Sequence, residues 1–343
     1  PEMSDRSLEA AMRYVAEQGV TSVDHMGTWD DLEVFTRAWK ANRLRTRIYA
    51  AVPLSTWQRL DETIRAGTFN ARSGDSPSGL SGRGDAWLGI GNLKGFVDGS
   101  LGSHTAAFEE PFTDAPRDRG LFVNTTEDLY AWTSVADKAG LHVSVHAIGD
   151  RAIKTQLDIF ERVAKENPPR DRRFRIEHAQ HIAPGDLPRF AALNVTASMQ
   201  PYHAIDDGRW AEKVIGAKRS ETTYAFRSLL DAKAVVAFGS DWFVAPPTPL
   251  EGIYAAVTRR TLDDKHPDGW VAAQKITVEE ALWAYTRAGA LATFHEREKG
   301  TIAPGMLADL TLIDRDLRSI SAVEIRNAKI TRTIVGGQTV YKR

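Results

Sequence analysis

The sequence has no cysteine among its 343 residues. This absence excludes disulfide bonds, thiolate zinc sites and a cysteine nucleophile. An excess of one charge is also missing, because 44 Lys and Arg residues balance 45 Asp and Glu residues to a formal net charge of −1. A chain so balanced gives no electrostatic reason to bind nucleic acid or an anionic membrane, and we predict that it binds neither.

Long hydrophobic runs are absent as well. No segment approaches the roughly 20 consecutive apolar residues of a membrane span, and the first residues, Pro1 to Arg6, contain no signal-peptide core. We therefore expect a cytoplasmic protein. A glycine-rich phosphate loop and a Walker-type lysine are also missing, so nucleotide binding has no support.

What the sequence does contain is a repeated alternation of helix and strand patterns. Helical spacing of apolar residues is followed each time by a short β-branched run, which predicts parallel strands with helical crossovers. The fold is then a doubly wound sheet or a (β/α)8 barrel, and polar residues after several strands favour the barrel. We place helices at residues 7–18, 30–43, 56–66, 126–139, 151–165, 185–193 and 221–232, and strands at 20–23, 46–52, 87–97, 141–146, 174–178, 195–200 and 235–240.

Two insertions and a change of residue pattern interrupt the alternation of helices and strands. Residues 70–86 are predicted to be a flexible surface loop, and residues 201–220 a loop on the catalytic face that could act as a lid. After a helix at 277–293, period-two β patterns with turn residues predict a small separate β module. We therefore divide the chain into a barrel, 1–297, and a β portion, 298–343.

Three polar residues end apolar strands. Asp241 follows one such strand, and His146 and His178 end two others. Imidazole and carboxylate are the ligands that zinc-like metals use, although Asp241 could instead cap a helix and either histidine could be an ordinary hydrogen-bonded residue. His142 fits the second interpretation better. His181, beyond the strand end, is a ligand, a substrate contact or a solvated residue.

Lys94 is the next candidate, within a predicted strand. A lysine among strand residues usually extends its amine to the surface. If Lys94 faces the barrel interior instead, burial lowers its pKa, and the neutral amine can react with carbon dioxide to form a carbamate that bridges two metals.

Five motifs, in this order, resemble amidohydrolase family 3 of the metal-dependent amidohydrolase superfamily: KGFVDGSLGS (94–103), HAIGDRA (146–152), RIEHAQ (175–180), ASMQPYH (197–203) and GSDW (239–242). The chain is most similar to the long-chain branch that contains N-substituted formamide deformylases and AepA-type exoenzyme-regulation proteins. The closing GTIAPGMLADLTL (300–312) is similar to the return of that family into its β-sandwich.

The resemblance implies an α/β fold, a (β/α)8 TIM-like barrel with a small C-terminal β-sandwich portion. It implies that Lys94, His146, His178 and Asp241 are metal ligands, that Asp241 also acts as the catalytic proton carrier, and that Gln200 and His203 face the substrate. We also expect His181 to contact the substrate. The expected cofactor is one or two divalent metal ions, zinc first, with a lysine carbamate, and the expected partner is a small-molecule substrate.

One departure from the family is plain. The first barrel strand of that family carries a His-x-His pair, and the nine histidines of this chain include no such pair. We therefore expect an N-terminal portion with that strand to be missing from this chain. A barrel without one strand has two unpaired edges, which favours a homo-oligomer.

The implied activity is hydrolysis of a carbon–nitrogen bond, of the amide or N-formyl type, by a metal-activated water. A single-metal deaminase of the same superfamily is the alternative chemistry. A non-catalytic fragment or a regulatory relative is the alternative outside catalysis.

Overall fold

The computed structural model of the chain describes residues 2–67, 69 and 83–343. Its main sheet contains seven parallel strands whose order in space follows the chain, and β3 pairs antiparallel with β4. The strands are β1 (Ser22–Met26), β2 (Arg47–Pro53), β3 (Arg83–Gly84), β4 (Leu88–Phe96), β5 (His142–Ala147), β6 (Arg175–His178), β7 (Thr196–Met199) and β8 (Val236–Phe238). Helical crossovers join the parallel strands, as the sequence predicts.

The helices cover the outside of this sheet. Those of the described residues are α1 (Glu2–Glu17), α2 (Trp29–Lys40), α3 (Trp57–Arg65), α4 (Thr126–Lys138), α5 (Asp150–Glu166), α6 (Leu187–Ala192), α7 (Pro201–Asp207), α8 (Ala211–Ser220), α9 (Phe226–Asp231), α10 (Pro249–Thr258), α11 (Val278–Tyr285) and α12 (Arg287–Ala292). Local sequence fixes several starts, since Thr28 and Thr277 each form a capping box with the acidic residue three positions later.

The core lies between the helices and the strands. In α5, Ile153, Leu157 and Phe160 recur at helical spacing and are buried. The Phe160 ring stacks on Phe174, which precedes β6, with ring centroids 4.3 Å apart. Burying one such side chain contributes about 1.5–3 kcal/mol, so these contacts hold α5 firmly against the sheet.

The sheet is curled into a partial barrel. Arg175 in β6 forms an ion pair with Asp24 in β1, although three strands lie between β6 and β1 in the sheet. Only a curled sheet brings these side chains together in an interior. On the outside, α12 packs against Ala237 of β8, and the following turn reaches β1, where Lys299 Nζ donates to Ser22 Oγ at 3.0 Å. The predicted TIM-like barrel is therefore confirmed in part.

The C-terminal residues form a second, antiparallel sheet in the order β11-β10-β9. Its strands are β9 (Leu310–Ile313), β10 (Ile330–Val335) and β11 (Gln338–Lys342). Gly336 and Gly337, with φ of 58° and 77°, make the tight turn between β10 and β11, which needs positive φ at both positions. In the described part of the chain this β portion is one three-stranded sheet rather than two layers. The boundary at 297 stays a prediction.

Several predicted elements differ from the structure. Residues 201–220, predicted as a loop, hold α7 and α8. Pro201 is well suited to the first turn of α7. The predicted helix at 277–293 is two helices separated by Thr286, whose φ and ψ of −120° and −81° are not helical. The helix predicted at 221–232 is only α9, and α10 was missed.

The flexible loop predicted at 70–86 falls mostly outside the described residues, since 70–82 are not described. Within the described parts of the chain, every helix is too short or too polar to cross a lipid bilayer.

Candidate metal centre

The predicted site residues lie at the carboxyl ends of neighbouring parallel strands. His146 is the second-last residue of β5, His178 ends β6, Gln200 follows β7 and Asp241 follows β8. Parallel strands share one direction, so their ends meet at one edge of the barrel. His178 and Asp241 both have positive φ, 74° and 60°, a strained conformation that turns the chain sharply at the site.

Three of the predicted site residues form a group that could hold a metal ion, called the metal group below. The ligand atoms of His178, His203 and Asp241 all lie within 4.8 Å of one another. Asp241 Oδ2 is 3.9 Å from His203 Nε2. Two ligands of one tetrahedral zinc ion lie roughly 3.3 Å apart, given zinc bonds of about 2.0–2.1 Å. The observed spacing is therefore close to that of a metal site.

His203 was predicted to contact substrate, and the structure places it within this group. It lies in α7, in a segment that was predicted to be a loop. Its Nε2 atom is buried and has no hydrogen-bond partner among the residues that the structure describes. A buried nitrogen without a partner destabilises the folded protein unless a ligand binds to it. This supports a metal at the position of His203.

Gln200 holds the ring of His178. Its Oε1 atom lies 2.9 Å from His178 Nδ1. An amide oxygen can only accept, so Nδ1 carries the hydrogen and Nε2 keeps a free lone pair. Fixing the orientation and tautomer of a ligand histidine is the usual role of such a partner.

His146 lies beside the group without belonging to it. Its ring centroid is 4.5 Å from that of His178. Its Nε2 atom is 2.8 Å from the carbonyl oxygen of Gly99 and 3.4 Å from Asp98 Oδ1. Both neighbours are acceptors, which leaves Nδ1 as the nitrogen available to a ligand.

Lys94 is buried, as a ligand position requires, and does not extend to the surface. Burial lowers the pKa of its amine, and the carboxylates of Glu177 and Asp241 oppose that effect. The amine also lies over the ring of Phe96, 5.0 Å from its centroid. Lys94 therefore has the interior position that a reactive, neutral amine requires.

An ionic layer lies next to Lys94 inside the curled sheet. Arg175 Nη2 is 2.6 Å from Glu177 Oε1, and the same guanidinium contacts Asp24. This layer is not predicted from the sequence, because its residues come from β1 and β6, which are far apart in the chain. The alternation of side chains along β6 puts Arg175 and Glu177 on the same, inward face, which is the one signal that could have identified them.

The electrostatics favour neutral imidazoles and one carboxylate. Burial lowers the pKa of His178 well below its ordinary value, and the neighbouring His146 and Lys94 lower it further. Burial also lowers the pKa of His203, to about 4. Burial raises the pKa of Asp241, while Lys94 acts in the opposite direction. Neutral imidazole is the form that binds metals, so the donor set fits a divalent ion.

His181 does not join the other site residues. It is buried, its Nδ1 atom lies 2.9 Å from Thr223 Oγ1, and its ring centroid is 5.3 Å from that of Phe108. Its predicted contact with substrate stays a prediction.

A sequence profile of the amidohydrolase family matches residues 1–341. The chain belongs to the amidohydrolase family. A metal-dependent hydrolase from Pyrococcus horikoshii, described as uncharacterized, has a similar fold, with a TM-score of 0.79 and 27% identity over 94% of this chain and 62% of that one. The family predicted from the motifs is confirmed, and its fold is that of the metal-dependent hydrolases.

Two curated relatives extend the comparison. The protein LONG AFTER FAR-RED 3 of Arabidopsis thaliana is 37% identical over 98% of this chain and 57% of its own length. The N-substituted formamide deformylase of Arthrobacter pascens is 30% identical over 74% of this chain and 46% of its own length. The chain therefore spans about half the length of these relatives.

Proposed function

We propose that this chain acts in a metal-dependent hydrolase that cleaves a carbon–nitrogen bond of the amide or N-formyl type. The observation that carries the proposal is the group of His178, His203 and Asp241, whose ligand atoms lie within 4.8 Å of one another. The deformylase relative from Arthrobacter pascens supports the bond type, because its name specifies an N-substituted formamide. A small molecule is the proposed substrate.

His178, His203 and Asp241 would hold one divalent ion, and His146 and Lys94 lie where a second could bind. Two imidazoles and a carboxylate are a donor set that zinc accepts, so zinc is the proposed metal. When bound, such an ion supplies Lewis acidity and lowers the pKa of a coordinated water from about 15.7 to roughly 7. The neutral Lys94 amine can add to carbon dioxide with loss of a proton, and the carbamate would offer two oxygen ligands.

Asp241 is the proposed general base and general acid. It takes the proton of the attacking water and delivers it to the leaving nitrogen as the carbon–nitrogen bond breaks. Burial raises the pKa of its carboxyl, which makes the carboxylate a stronger base than an exposed one. Its position beside His178 and His203 puts it within reach of a water held there.

The test combines metal content with hydrolysis of a panel of N-formyl and N-acyl amines. It uses this chain and a version extended to the length of its curated relatives. We expect bound metal, formate or carboxylate release, and a fall in kcat of about a hundred- to ten-thousandfold in Asp241→Asn. Asp231→Asn, at an exposed residue paired with Arg227, is the control and should keep activity.

Other outcomes would identify the alternatives. One metal per chain with ammonia release would indicate a deaminase. A folded, extended chain that binds no metal and cleaves nothing would contradict the hydrolase and favour a non-catalytic relative.

A further inference from the structure

A buried dipeptide, Thr223 with Tyr224, lies behind the candidate metal centre. Both residues are fully buried. The Tyr224 hydroxyl donates to Asp207 Oδ2 at 2.6 Å, and the Tyr224 backbone N–H donates to the Gln180 carbonyl at 2.7 Å. Thr223 Oγ1 lies 2.9 Å from His181 Nδ1. The dipeptide therefore contacts two separate elements of the site through specific hydrogen bonds.

Arg259 fixes this dipeptide in place. Its guanidinium is fully buried and donates to three backbone carbonyls, those of Trp270 at 2.9 Å, Tyr224 at 2.9 Å and Thr223 at 3.1 Å. Three hydrogen bonds from one planar cation allow little movement of the backbone that accepts them. Arg259 therefore fixes the backbone that carries the Tyr224 hydroxyl.

Each element that the dipeptide contacts also carries a residue of the metal group. Gln180 and His181 follow His178 by two and three positions at the end of β6. Asp207 lies four positions after His203 in α7, so the two side chains share one face of that helix. A helix of seven residues is too short to be stable by itself, and contacts such as that of Asp207 must position it.

We propose that the hydrogen bond from Tyr224 to Asp207 positions α7 so that His203 faces His178 and Asp241. Tyr224 and Asp207 are then positioning residues that act through His203 and need not touch the substrate. The metal part of this inference rests on the proposed function, whereas the placement of the His203 ring does not. The carboxylate depends on the bond, because Asp207 is partly buried and Tyr224 is the side chain that donates to it in the described part of the chain.

The first experiment compares Tyr224→Phe with the unchanged protein in the absence of metal. The variant removes one hydroxyl and leaves the partly buried Asp207 carboxylate without that donor. We expect a changed ring chemical shift for His203 in NMR and faster hydrogen exchange of the amides of Ala204 and Ile205 in α7. The Asp207→Asn variant keeps an acceptor oxygen for Tyr224 and should retain the shift and the exchange rates of the unchanged protein.

The second experiment measures Co²⁺ affinity of the same proteins by competition with a chelator. Loss of a residue that supports a metal ligand typically weakens metal binding about ten- to a hundredfold, and we expect this for Tyr224→Phe but not for Asp207→Asn. Tyr130→Phe is the matched control, because it loses a tyrosine-to-carboxylate bond, to Glu166, between α4 and α5. It should bind Co²⁺ like the unchanged protein.

The outcomes separate this inference from the proposed function. If the unchanged protein binds no Co²⁺, the proposed function fails, while the metal-free NMR comparison still decides the inference. An unaltered His203 shift and unaltered α7 exchange in Tyr224→Phe would overturn it. If Tyr224→Phe does not fold, Asp207→Asn and Asp207→Leu decide instead, and equal effects of these two variants would also overturn it.

Discussion

Asp98 shows how one buried carboxylate can organise two loops of the site. It accepts backbone N–H groups from Ala107 at 2.8 Å, Ile148 at 3.0 Å and Gly149 at 2.9 Å. Gly149 has no space for a side chain, because a Cβ atom there would lie 2.1 Å from the carbonyl oxygen of Ala107. Asp98 thus ties the loop after β4 to the start of α5, beside His146.

The substitution Asp98→Asn tests this role. An amide keeps one acceptor oxygen, but its NH₂ group would face a backbone N–H, leaving buried donors without partners. We expect a loss of about 1–3 kcal/mol in the free energy of unfolding, measured by urea denaturation. Asp118→Asn, at an exposed carboxylate that accepts only the Gly120 N–H in the described structure, should change stability by no more than about 0.5 kcal/mol. Equal effects at the two positions would contradict the assigned role.

Between elements, a buried ion pair links the C-terminal β portion to the barrel. Arg47 of β2 donates to both carboxylate oxygens of Asp309, from Nε at 2.6 Å and Nη2 at 2.9 Å. The two side chains are only 4% and 5% exposed, so water cannot replace either partner. Thr333 Oγ1 in β10 also donates to the carbonyl of Ala16 in α1. These contacts hold the sheet against the barrel.

We therefore expect Asp309→Asn to be strongly destabilising. Removing one charge of a buried pair leaves the other uncompensated, which costs about 3–5 kcal/mol. The control is Asp61→Asn, which breaks a pair with the exposed Arg65 in α3 and should cost less than about 1 kcal/mol. Chemical denaturation measures both. A loss at Asp309 no larger than at Asp61 would show that the ion pair does not hold the sheet.

Across the whole molecule, buried histidines make stability sensitive to acid. Burial lowers the pKa of His142 to about 4, and that of both His181 and His295 to about 3. An unfolded histidine has a pKa near 6.5, so below that pH the unfolded chain binds protons that the folded chain does not.

The main sheet ends at β1 on one side and at β8 on the other. The homo-oligomer expected from such edges, and the cytoplasmic location, remain predictions.

This predicts that the free energy of unfolding decreases as the pH falls from about 6.5 towards 4. Each such histidine contributes up to about 1.4 kcal/mol per pH unit in that range. His142→Gln, whose amide can still donate to the Arg173 carbonyl, should have a shallower dependence. Urea denaturation at several pH values measures the slopes, with His266→Gln, at a partly exposed histidine, as the control. Parallel slopes for His142→Gln and the unchanged protein would refute the assignment.

The sequence by itself determined the order of the elements and the ends of the strands. Apolar periodicity and β-branched runs placed β5 and β6 within a residue or two. The polar residues at the ends of β5, β6 and β8 made His146, His178 and Asp241 the candidate site residues. This works because periodicity is a local property, and because parallel strands point their carboxyl ends to one edge whatever else packs around them.

Only the tertiary structure decided which side chains meet. His203 joins the metal group because α7 forms where a loop was expected, and Arg175 reaches Asp24 because the sheet curls. The bonds of Asp98 and the pair of Tyr224 with Asp207 likewise link separate loops and helices. Such contacts depend on how distant segments pack, and no local pattern of residues encodes that packing.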